Sequence, residues 1–372
     1  MTDNERETVA SGVAPYERMR TYLRAIGQGP RTGRDLTAEE ARDAMSLVLS
    51  GEATPAQAGG FLLLQRYKGE SPEELLGFAE AVRAVAHLIS PGVKGLLDVG
   101  SPYDGRKKSI VVSPAAAIVA AAAGVPVVMH GEKDLGPKHG VPIGDVLEAL
   151  GIDVDAEPEG VQRSIEETGV GYMHSERFVP AVFALKGLRE EVALRTVFAT
   201  IEKIYNLAGA DYSIIGLAHL PYAEKMMTAA ASMGFKRILI LQGIEGNEDA
   251  PTSRPCRAFL WEEAGRRTME GGELREIRID PAEFGLQAAT KEEMAGGDAA
   301  QNAAIAERIF GGAAGAYRDL VLLNAGIRIW LSERAGSIGE GIDAARGAIS
   351  SGAASARLQE LRAANTQRLA NG

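Results

Sequence analysis

Apolar and polar positions follow two successive patterns along the chain. Up to about residue 90, apolar residues recur at helical spacing, as in Tyr16–Gly27. Thr37, Thr54 and Ser71 each precede a Glu or Gln by three residues, which is the spacing of a helix capping box. We therefore expect a small all-helical domain over residues 13–90, preceded by a flexible tail over residues 1–12.

Beyond Pro91 the pattern changes to short apolar runs separated by amphipathic stretches. The runs are Gly95–Val99, Val125–Met129, Tyr212–Leu217 and Lys236–Gln242. Runs of successive apolar residues joined by helices are typical of a parallel sheet that is covered on both faces. The expected fold class is α/β, with a parallel-sheet-centred large domain flanked by helices over residues 91–372, beside the small all-helical domain.

A longer helix is predicted over Leu188–Asn206, where apolar and charged positions alternate. This helix could return to the N-terminal helices. Part of residues 178–206 is therefore expected to join the helical domain.

The first predicted strand–helix–strand unit carries two glycine-rich loops. Gly100–Lys108 ends in the basic triplet Arg106-Lys107-Lys108, and His130–Gly140 follows the second strand. Between them a helix is predicted to begin at Ser113-Pro114, with Ser113 as its N-cap and Pro114 at its first position. Ligands of parallel sheets bind beyond the carboxyl ends of the strands, where helix N-termini present N–H groups to anions. The first loop could therefore cradle a phosphate. It is neither a Walker A loop nor a G-x-G-x-x-G turn, and a solvated turn is the alternative.

Three carboxylates follow the strand Lys236–Gln242, at Glu245, Glu248 and Asp249. An acidic cluster at a strand end suits Mg²⁺, which prefers a few carboxylates together with substrate phosphates. A polar turn whose side chains cap the next element is the alternative.

Composition narrows the function classes. The formal net charge of −10 and the isoelectric point near 5.2 argue against a surface built throughout for nucleic acid, but leave room for a local basic groove. The single cysteine, Cys256, excludes an intramolecular disulfide and fits a reducing compartment. The N-terminus has no apolar signal segment, and no apolar run of about 18 residues occurs. We expect a cytoplasmic protein with no membrane partner.

The remaining polar residues match no catalytic motif. The histidines are dispersed without zinc spacing, and His130 and His139 flank the second loop, where either could contact a ligand. Basic residues near the predicted loop edges could line a groove that follows a nucleic-acid backbone, or could be ordinary surface charge. They are Arg106, Lys107, Lys108, Lys133, Lys138, Lys203, Arg254 and Arg257.

Several segments resemble anthranilate phosphoribosyltransferase, a family 3 glycosyltransferase with the nucleoside phosphorylase class II fold. The segments are Glu70–Val82, Ala121–Pro126, Met129–Gly131, Asp145–Ile152, Leu194–Phe198 and Asp280–Leu286. The resemblance implies a small helical domain, a large α/β domain, the diphosphate donor PRPP with Mg²⁺ in the cleft, and a homodimer formed through the helical domain.

The motifs that bind substrate in that family are altered here. Its G-T-G-G-D loop aligns with Gly100–Asp104, where Pro102 and Tyr103 replace two glycines. Its K-H-G-N motif aligns with Met129–Glu132, where Met129 replaces the Lys and Glu132 replaces the Asn. Its anthranilate-binding arginine aligns with Phe183, whereas its metal-binding pair aligns with Glu248-Asp249. The chain thus resembles a divergent paralogue group that keeps the fold without the PRPP and anthranilate motifs. Members of that group have been linked to binding nucleic acids, single strands included.

Two functions follow as hypotheses. The first is a phosphoribosyltransferase-like protein that binds a phosphorylated ligand or PRPP with Mg²⁺, with anthranilate not expected as substrate. His130 or Lys138 would orient the acceptor, and Glu248 and Asp249 would bind the metal. The second is a non-catalytic homodimer that binds single-stranded nucleic acid through a basic groove. The candidate phosphate-binding residues are Gly100, Ser101, Asp104, Gly105, Arg106, Lys107, Lys108, Ser113, Gly131 and Lys133.

Overall fold

The computed structural model describes residues 13–29, 32–263 and 273–371. The predicted tail over residues 1–12 lies outside these described residues. Within them, no helix is long and apolar enough to cross a membrane.

The N-terminal segment is helical, as its periodicity predicts. Its helices are α1 (Pro15–Gly27), α2 (Ala38–Leu49), α3 (Pro55–Lys68) and α4 (Pro72–Val85). The predicted capping boxes at Thr37, Thr54 and Ser71 are all present, with both hydrogen bonds formed in each. Each box satisfies two of the backbone N–H groups that a helix start leaves without partners.

A sheet of seven strands forms the centre of the rest of the chain. Its strands are β1 (Leu97–Gly100), β2 (Val127–Gly131), β3 (Val170–His174), β4 (Tyr212–Gly216), β5 (Arg237–Leu241), β6 (Cys256–Glu262) and β7 (Glu273–Ile279). The spatial order is β3-β2-β1-β4-β5-β6-β7. The strands β1 to β5 pair in parallel and β6 and β7 add in antiparallel fashion, which confirms the predicted fold class.

Helices cover both faces of this sheet. They are α5 (Ser113–Ala122), α6 (Ile143–Ala149), α7 (Pro158–Thr168), α8 (Ser175–Phe178), α9 (Pro180–Phe183), α10 (Lys186–Val192), α11 (Phe198–Ile201), α12 (Ala223–Ala231), α13 (Ala299–Phe310), α14 (Ala316–Leu331), α15 (Ile338–Ser350) and α16 (Ala353–Asn371). The prediction of one long helix over Leu188–Asn206 is wrong. Helix α10 ends at Val192, the next residue Ala193 has φ of +55°, and the short α11 follows.

Two apolar cores lie on the two faces of the sheet. One joins Leu97, Val99 and Met129 to side chains of α5 and α14. The other joins Val128 and Ile215, which point to the opposite face, to the N-terminal helices and to residues between 178 and 206. Since the helical segment shares this second core with the sheet, the boundary between the two domains stays a prediction.

Helices α14 and α15 approach each other closely at Gly326 of α14 and Gly341 of α15. A Cβ added at Gly326 would lie 2.5 Å from Cγ1 of Ile342 and 2.7 Å from its backbone nitrogen. At Gly347, on the exposed side of α15, no atom of the described residues beyond its chain neighbours and the adjacent backbone of its own helix lies within 4 Å of the same position.

We predict that Gly326→Ala lowers the free energy of unfolding by about 1–3 kcal/mol, because the added methyl group overpacks the helix contact. Gly347→Ala is the matched control and should raise it by up to about 1 kcal/mol through helix propensity. Urea unfolding of both variants measures the difference. Equal effects of the two substitutions would contradict the close approach.

Candidate functional site

The loops that follow β1 and β5, together with helix α14, bring the predicted acidic pair and two arginines together in the protein interior. Glu248 and Asp249 have no exposed surface, and Arg106 and Arg328 lie against them with 3% and 0% exposure. Nη2 of Arg106 lies 3.0 Å from Oε1 of Glu248 and 2.5 Å from Oδ2 of Asp249. Nη2 of Arg328 lies 3.0 Å from Oδ1 of Asp249.

These ion pairs fix the charge state of the cluster. Burial would raise the pKa of Asp249, but Arg106 and Arg328 hold it below its ordinary value. Burial would likewise lower the pKa of Arg106, whereas the charges of Asp249 and Glu248 raise it. Two carboxylates thus lie against two guanidinium groups away from solvent, and buried charges are tolerated only when they are paired.

Ser113 joins the same cluster rather than capping its helix. Helix α5 begins at Ser113, with Pro114 in its first turn as predicted, but the predicted cap is wrong because the hydroxyl contacts both carboxylates instead. Arg106, predicted to bind phosphate from the surface, is buried in the cluster. The role of either residue toward phosphate stays a prediction.

The metal prediction for Glu248 and Asp249 meets an arrangement that does not suit it. The guanidinium nitrogens contact oxygens of both carboxylates that a cation would need. In the part of the chain that the structure describes, no group of three or more His, Cys, Asp or Glu side chains is placed to hold a metal. The residues present do not fit a bound Mg²⁺, and magnesium binding stays a prediction that the surroundings do not favour.

In the first glycine-rich loop, Gly100–Lys108, the side chain of Tyr103 points into the protein. This side chain is buried, and its hydroxyl lies 2.8 Å from Nδ1 of His130, whose Nε2 lies 3.0 Å from Oδ1 of Asp98. Burial raises the pKa of Tyr103 well above its ordinary value, so the hydroxyl stays protonated. Both ring nitrogens of His130 are thus engaged inside the protein, and its predicted catalytic role remains untested.

Glu245 occupies the backbone cradle that was predicted for phosphate. Its carboxylate accepts hydrogen bonds from the N–H groups of Lys107 and Lys108, at 3.4 and 2.8 Å, and from the Ser109 hydroxyl at 2.9 Å. Nζ of Lys138, the other predicted acceptor-orienting residue, lies 3.0 Å away. Burial would raise the pKa of Glu245, but these partners hold it below its ordinary value.

Other predicted phosphate-binding residues shape the loops or form ion pairs. Gly105, with φ of +70°, packs against the backbone of Gly140, and Gly100 packs against Lys203. Asp104 pairs with Arg195 at 2.6 Å, and Lys133 pairs with Glu148 and Asp155.

Two further candidates, Ser101 and Gly131, also lie at these strand ends. Ser101 is buried, and its hydroxyl has no hydrogen-bond partner among the described residues. Gly131 ends β2 with the Tyr172 hydroxyl 2.8 Å from where its Cβ would lie. A side chain at Gly131 would therefore clash with this buried tyrosine.

Glu132 introduces a buried negative charge beside the position of Phe183. Its carboxylate lies 3.2 Å from Nε2 of His174 and also binds the Ser175 hydroxyl. Burial would raise the pKa of Glu132, but the hydrogen bonds from His174 and Ser175 lower it. The ring of Phe183 lies 6.4 Å from that of His174, so an apolar side chain, not a cation, faces this corner.

A cavity of about 290 Å³ opens between the helical segment and the carboxyl edge of the sheet. Its lining includes Arg66, Asp104, Arg195, Lys203, Tyr222 and Glu245. Nζ of Lys203 donates to the carbonyl of Gly216 at 2.9 Å, and burial lowers the pKa of this amine. Arg66 is exposed and donates to the carbonyl of Arg195 at 2.7 Å.

The predicted basic groove is only partly cationic. Arg106, Lys133, Lys138 and Arg257 all pair with carboxylates, and Lys203 is buried. Lys107, Lys108 and Arg254 are exposed and form no ion pair within the described ranges. Three of the eight predicted cations thus keep free charge for an anionic ligand.

Sequence reasoning missed Arg328 and Arg195. Arg328 stands alone among apolar residues in α14, between Ile327 and Ile329, and a lone arginine in a buried helix was the available signal. Arg195 lies in Leu194–Phe198, a segment that carries part of the family resemblance and was the available signal, but its place beside Asp104 depends on the tertiary fold.

Models of two glycosyl transferase family domains match the chain. The helical bundle domain matches residues 20–86 and the a/b domain matches residues 98–355. The chain is also similar to the anthranilate phosphoribosyltransferase of Natronomonas pharaonis, with 37% identity over 346 residues, which cover 92% of this chain and 99% of that protein.

Solved structures show the same fold. Anthranilate phosphoribosyltransferase from Thermus thermophilus superposes with a TM-score of 0.79 at 32% identity, covering 93% of this chain and 98% of that one. The same enzyme from Saccharomyces cerevisiae, in complex with PRPP and Mg, superposes with a TM-score of 0.80 at 19% identity, covering 94% and 98%. At the lower identity the likeness speaks for the fold alone.

We predict that Glu132 makes stability depend on acid pH. Since the folded pKa lies below the ordinary value of 4.5, the carboxylate contributes stability above about pH 4.5 and loses it as the pH falls through the folded pKa. Glu132→Gln should therefore flatten the fall in unfolding free energy below pH 4.5, as followed by urea unfolding. Glu176→Gln, at an exposed carboxylate, is the control and should leave the fall unchanged. Identical curves for both variants would contradict the assignment.

Proposed function

We propose that this chain, which belongs to the anthranilate phosphoribosyltransferase family of glycosyl transferases, binds a phosphorylated ligand in the cleft between its helices and its sheet. The ligand would be a phosphoribosyl compound or a nucleotide. The resemblance stated from the motifs is thus confirmed for the family. The narrower expectation, a divergent group without the substrate motifs, is part of this proposal, and so is the view that anthranilate is not the substrate.

The observation that carries the proposal is the set of free cations at the cleft. Arg66 lines the cavity and has no carboxylate partner in the described part of the chain. Lys107 and Lys108 are exposed, and their backbone N–H groups bind Glu245, which lines the cavity. Charge-assisted hydrogen bonds from such groups to phosphate oxygens are among the stronger contacts available to a protein.

The proposal assigns the positive charge to side chains rather than to a metal. The Saccharomyces enzyme was solved in complex with PRPP and Mg, and PRPP is one phosphorylated compound that fits the proposal. In this chain the acidic pair is already matched by Arg106 and Arg328, so the residues do not favour magnesium beside the ligand. We therefore expect ligand binding that does not require Mg²⁺.

Two features support the exclusion of anthranilate. Phe183 stands where the resemblance places the arginine that binds the substrate carboxylate, and a planar guanidinium is the usual partner for such a group. Glu132 adds a buried negative charge on the same side. An acidic acceptor would therefore meet an apolar ring and a carboxylate.

We predict that PRPP and ribose 5-phosphate bind in the presence of EDTA, that added Mg²⁺ changes the dissociation constant less than about threefold, and that ribose does not bind. Arg66→Ala and the double variant Lys107→Ala/Lys108→Ala should each weaken PRPP binding about tenfold or more, the equivalent of losing one charged hydrogen bond. Lys236→Ala, at an exposed lysine before β5 on the opposite edge of the sheet, is the control. Titration calorimetry measures binding by all four proteins. The proposal would be overturned if neither PRPP nor ribose 5-phosphate bound to the wild-type protein.

A transfer assay tests the exclusion of anthranilate separately. With PRPP, Mg²⁺ and anthranilate, turnover should be at least about 1,000-fold below that of the Thermus enzyme assayed alongside, since two charged contacts are lost. Comparable turnover would sink this part of the proposal without touching ligand binding.

Binding of single-stranded nucleic acid is a second candidate, favoured by Tyr67. Its side chain is 89% exposed and directly follows Arg66 at the cleft. An exposed aromatic ring beside cations is the combination on which bases of single strands stack. The predicted homodimer, which would extend such a surface, remains untested.

We predict that the protein binds a labelled oligothymidylate at about 50 mM salt. The affinity should fall as the salt is raised to about 200 mM, and it should also fall in the variant Tyr67→Ala. Fluorescence anisotropy measures the three responses. Tyr16→Ala, at another exposed tyrosine, is the control. Absent binding, or binding indifferent to salt, would remove this candidate.

A further inference from the structure

Three regions that are distant in sequence meet at the buried charge cluster, and one of them holds both Arg106 and Ser113. The cluster consists of Ser113 from the start of α5, Glu248 and Asp249 from the loop after β5, Arg106 from the loop after β1, and Arg328 from α14. Each of its five side chains is at most 3% exposed. Its two negative charges face two positive charges, so the cluster is neutral without any bound ion.

The oxygen atoms of the cluster are those that a divalent cation prefers. Mg²⁺, Mn²⁺ and Ca²⁺ take hard oxygen ligands, chiefly carboxylates. Glu248 and Asp249 supply four carboxylate oxygens, and the Ser113 hydroxyl contacts both side chains. Oε2 of Glu248 is fully buried and has no hydrogen-bond partner among the described residues, so the oxygen set is not saturated.

The guanidinium groups stand where a cation would sit against these oxygens. Nη2 of Arg106 contacts both carboxylates, and Nη2 of Arg328 contacts Asp249 at 3.0 Å and the Ser113 hydroxyl at 3.0 Å. Two arginines together carry the charge of one divalent ion.

Arg328 is held in this position by its own helix. Its Nη1 donates to the carbonyl of Asn324, one turn earlier in α14, at 2.9 Å. Asn324 in turn binds the backbone of Ala250 through both its amide oxygen and its amide nitrogen, at 2.7 and 2.9 Å. The residue after Asp249 is therefore clamped to the helix that carries Arg328, which keeps guanidinium and carboxylate in register.

We infer that Arg106 and Arg328 are a built-in replacement for a divalent cation, so that this chain binds no metal at Glu248-Asp249 and would regain a metal site on losing the Arg328 guanidinium. The inference does not depend on which ligand fills the cleft. It concerns only how the buried carboxylates are neutralised.

The test compares metal binding by three full-length proteins after treatment with EDTA. Wild-type protein should show no specific Mn²⁺ binding by electron paramagnetic resonance or calorimetry up to about 1 mM, and the same melting temperature in EDTA and in Mn²⁺. Arg328→Ala should melt lower in EDTA, bind one Mn²⁺ per chain at least about tenfold more tightly than wild type, and melt several degrees higher when Mn²⁺ is added, because binding only to the folded state stabilises it. Arg328→Lys keeps the charge and should behave as wild type does toward Mn²⁺.

The double variant Arg328→Ala/Asp249→Asn is the matched control, because it removes one charge of each sign. It should fold in EDTA and bind no Mn²⁺. If Arg328→Ala does not fold in EDTA, refolding from urea with Mn²⁺ should recover it. Specific Mn²⁺ binding by wild type, or failure of Mn²⁺ to bind or recover Arg328→Ala while the double variant folds, would overturn the inference.

Discussion

The constraint on which the rest of the site depends is the cost of burying Glu248 and Asp249. An ionised carboxylate in the interior is tolerated only with a partner of opposite charge, and removing one partner of such a pair is strongly destabilising. Here Arg106 and Arg328 supply that charge from the protein itself. Arg106 and Tyr103 both lie in the interior, and in the loop Gly100–Lys108 only Lys107 and Lys108 are exposed.

The same logic extends to the neighbouring loop. Glu245 accepts the hydrogen bonds that Lys107, Lys108 and Ser109 would otherwise offer to a phosphate, and Lys138 balances its charge. The Glu248-Asp249 carboxylates, predicted to bind a metal, and the loop amides, predicted to bind a phosphate, thus already have partners within the protein. What is left for a ligand is the open cleft with Arg66 at its wall, which is why the proposed function rests on side-chain cations and not on the loop amides.

Much of the fold could be predicted from the sequence, because its signals are local. The capping boxes at Thr37, Thr54 and Ser71 and the apolar runs of the parallel strands depend on residues a few positions apart. The site could not be predicted in this way. The contact between Arg106 and Asp249 joins residues 143 positions apart, and that between Arg328 and Ser113 joins residues 215 apart. The motif changes at Pro102, Tyr103 and Glu132 indicated that the family's ligand contacts were altered, but not which side chains replaced them.

The most direct test of the central claim is an anomalous-scattering crystal structure of the wild-type protein soaked with Mn²⁺ and PRPP. The account predicts no anomalous peak beside Glu248 and Asp249, with both guanidinium groups still in contact with the carboxylates. A manganese peak bound by those carboxylates, with Arg106 or Arg328 displaced, would contradict it.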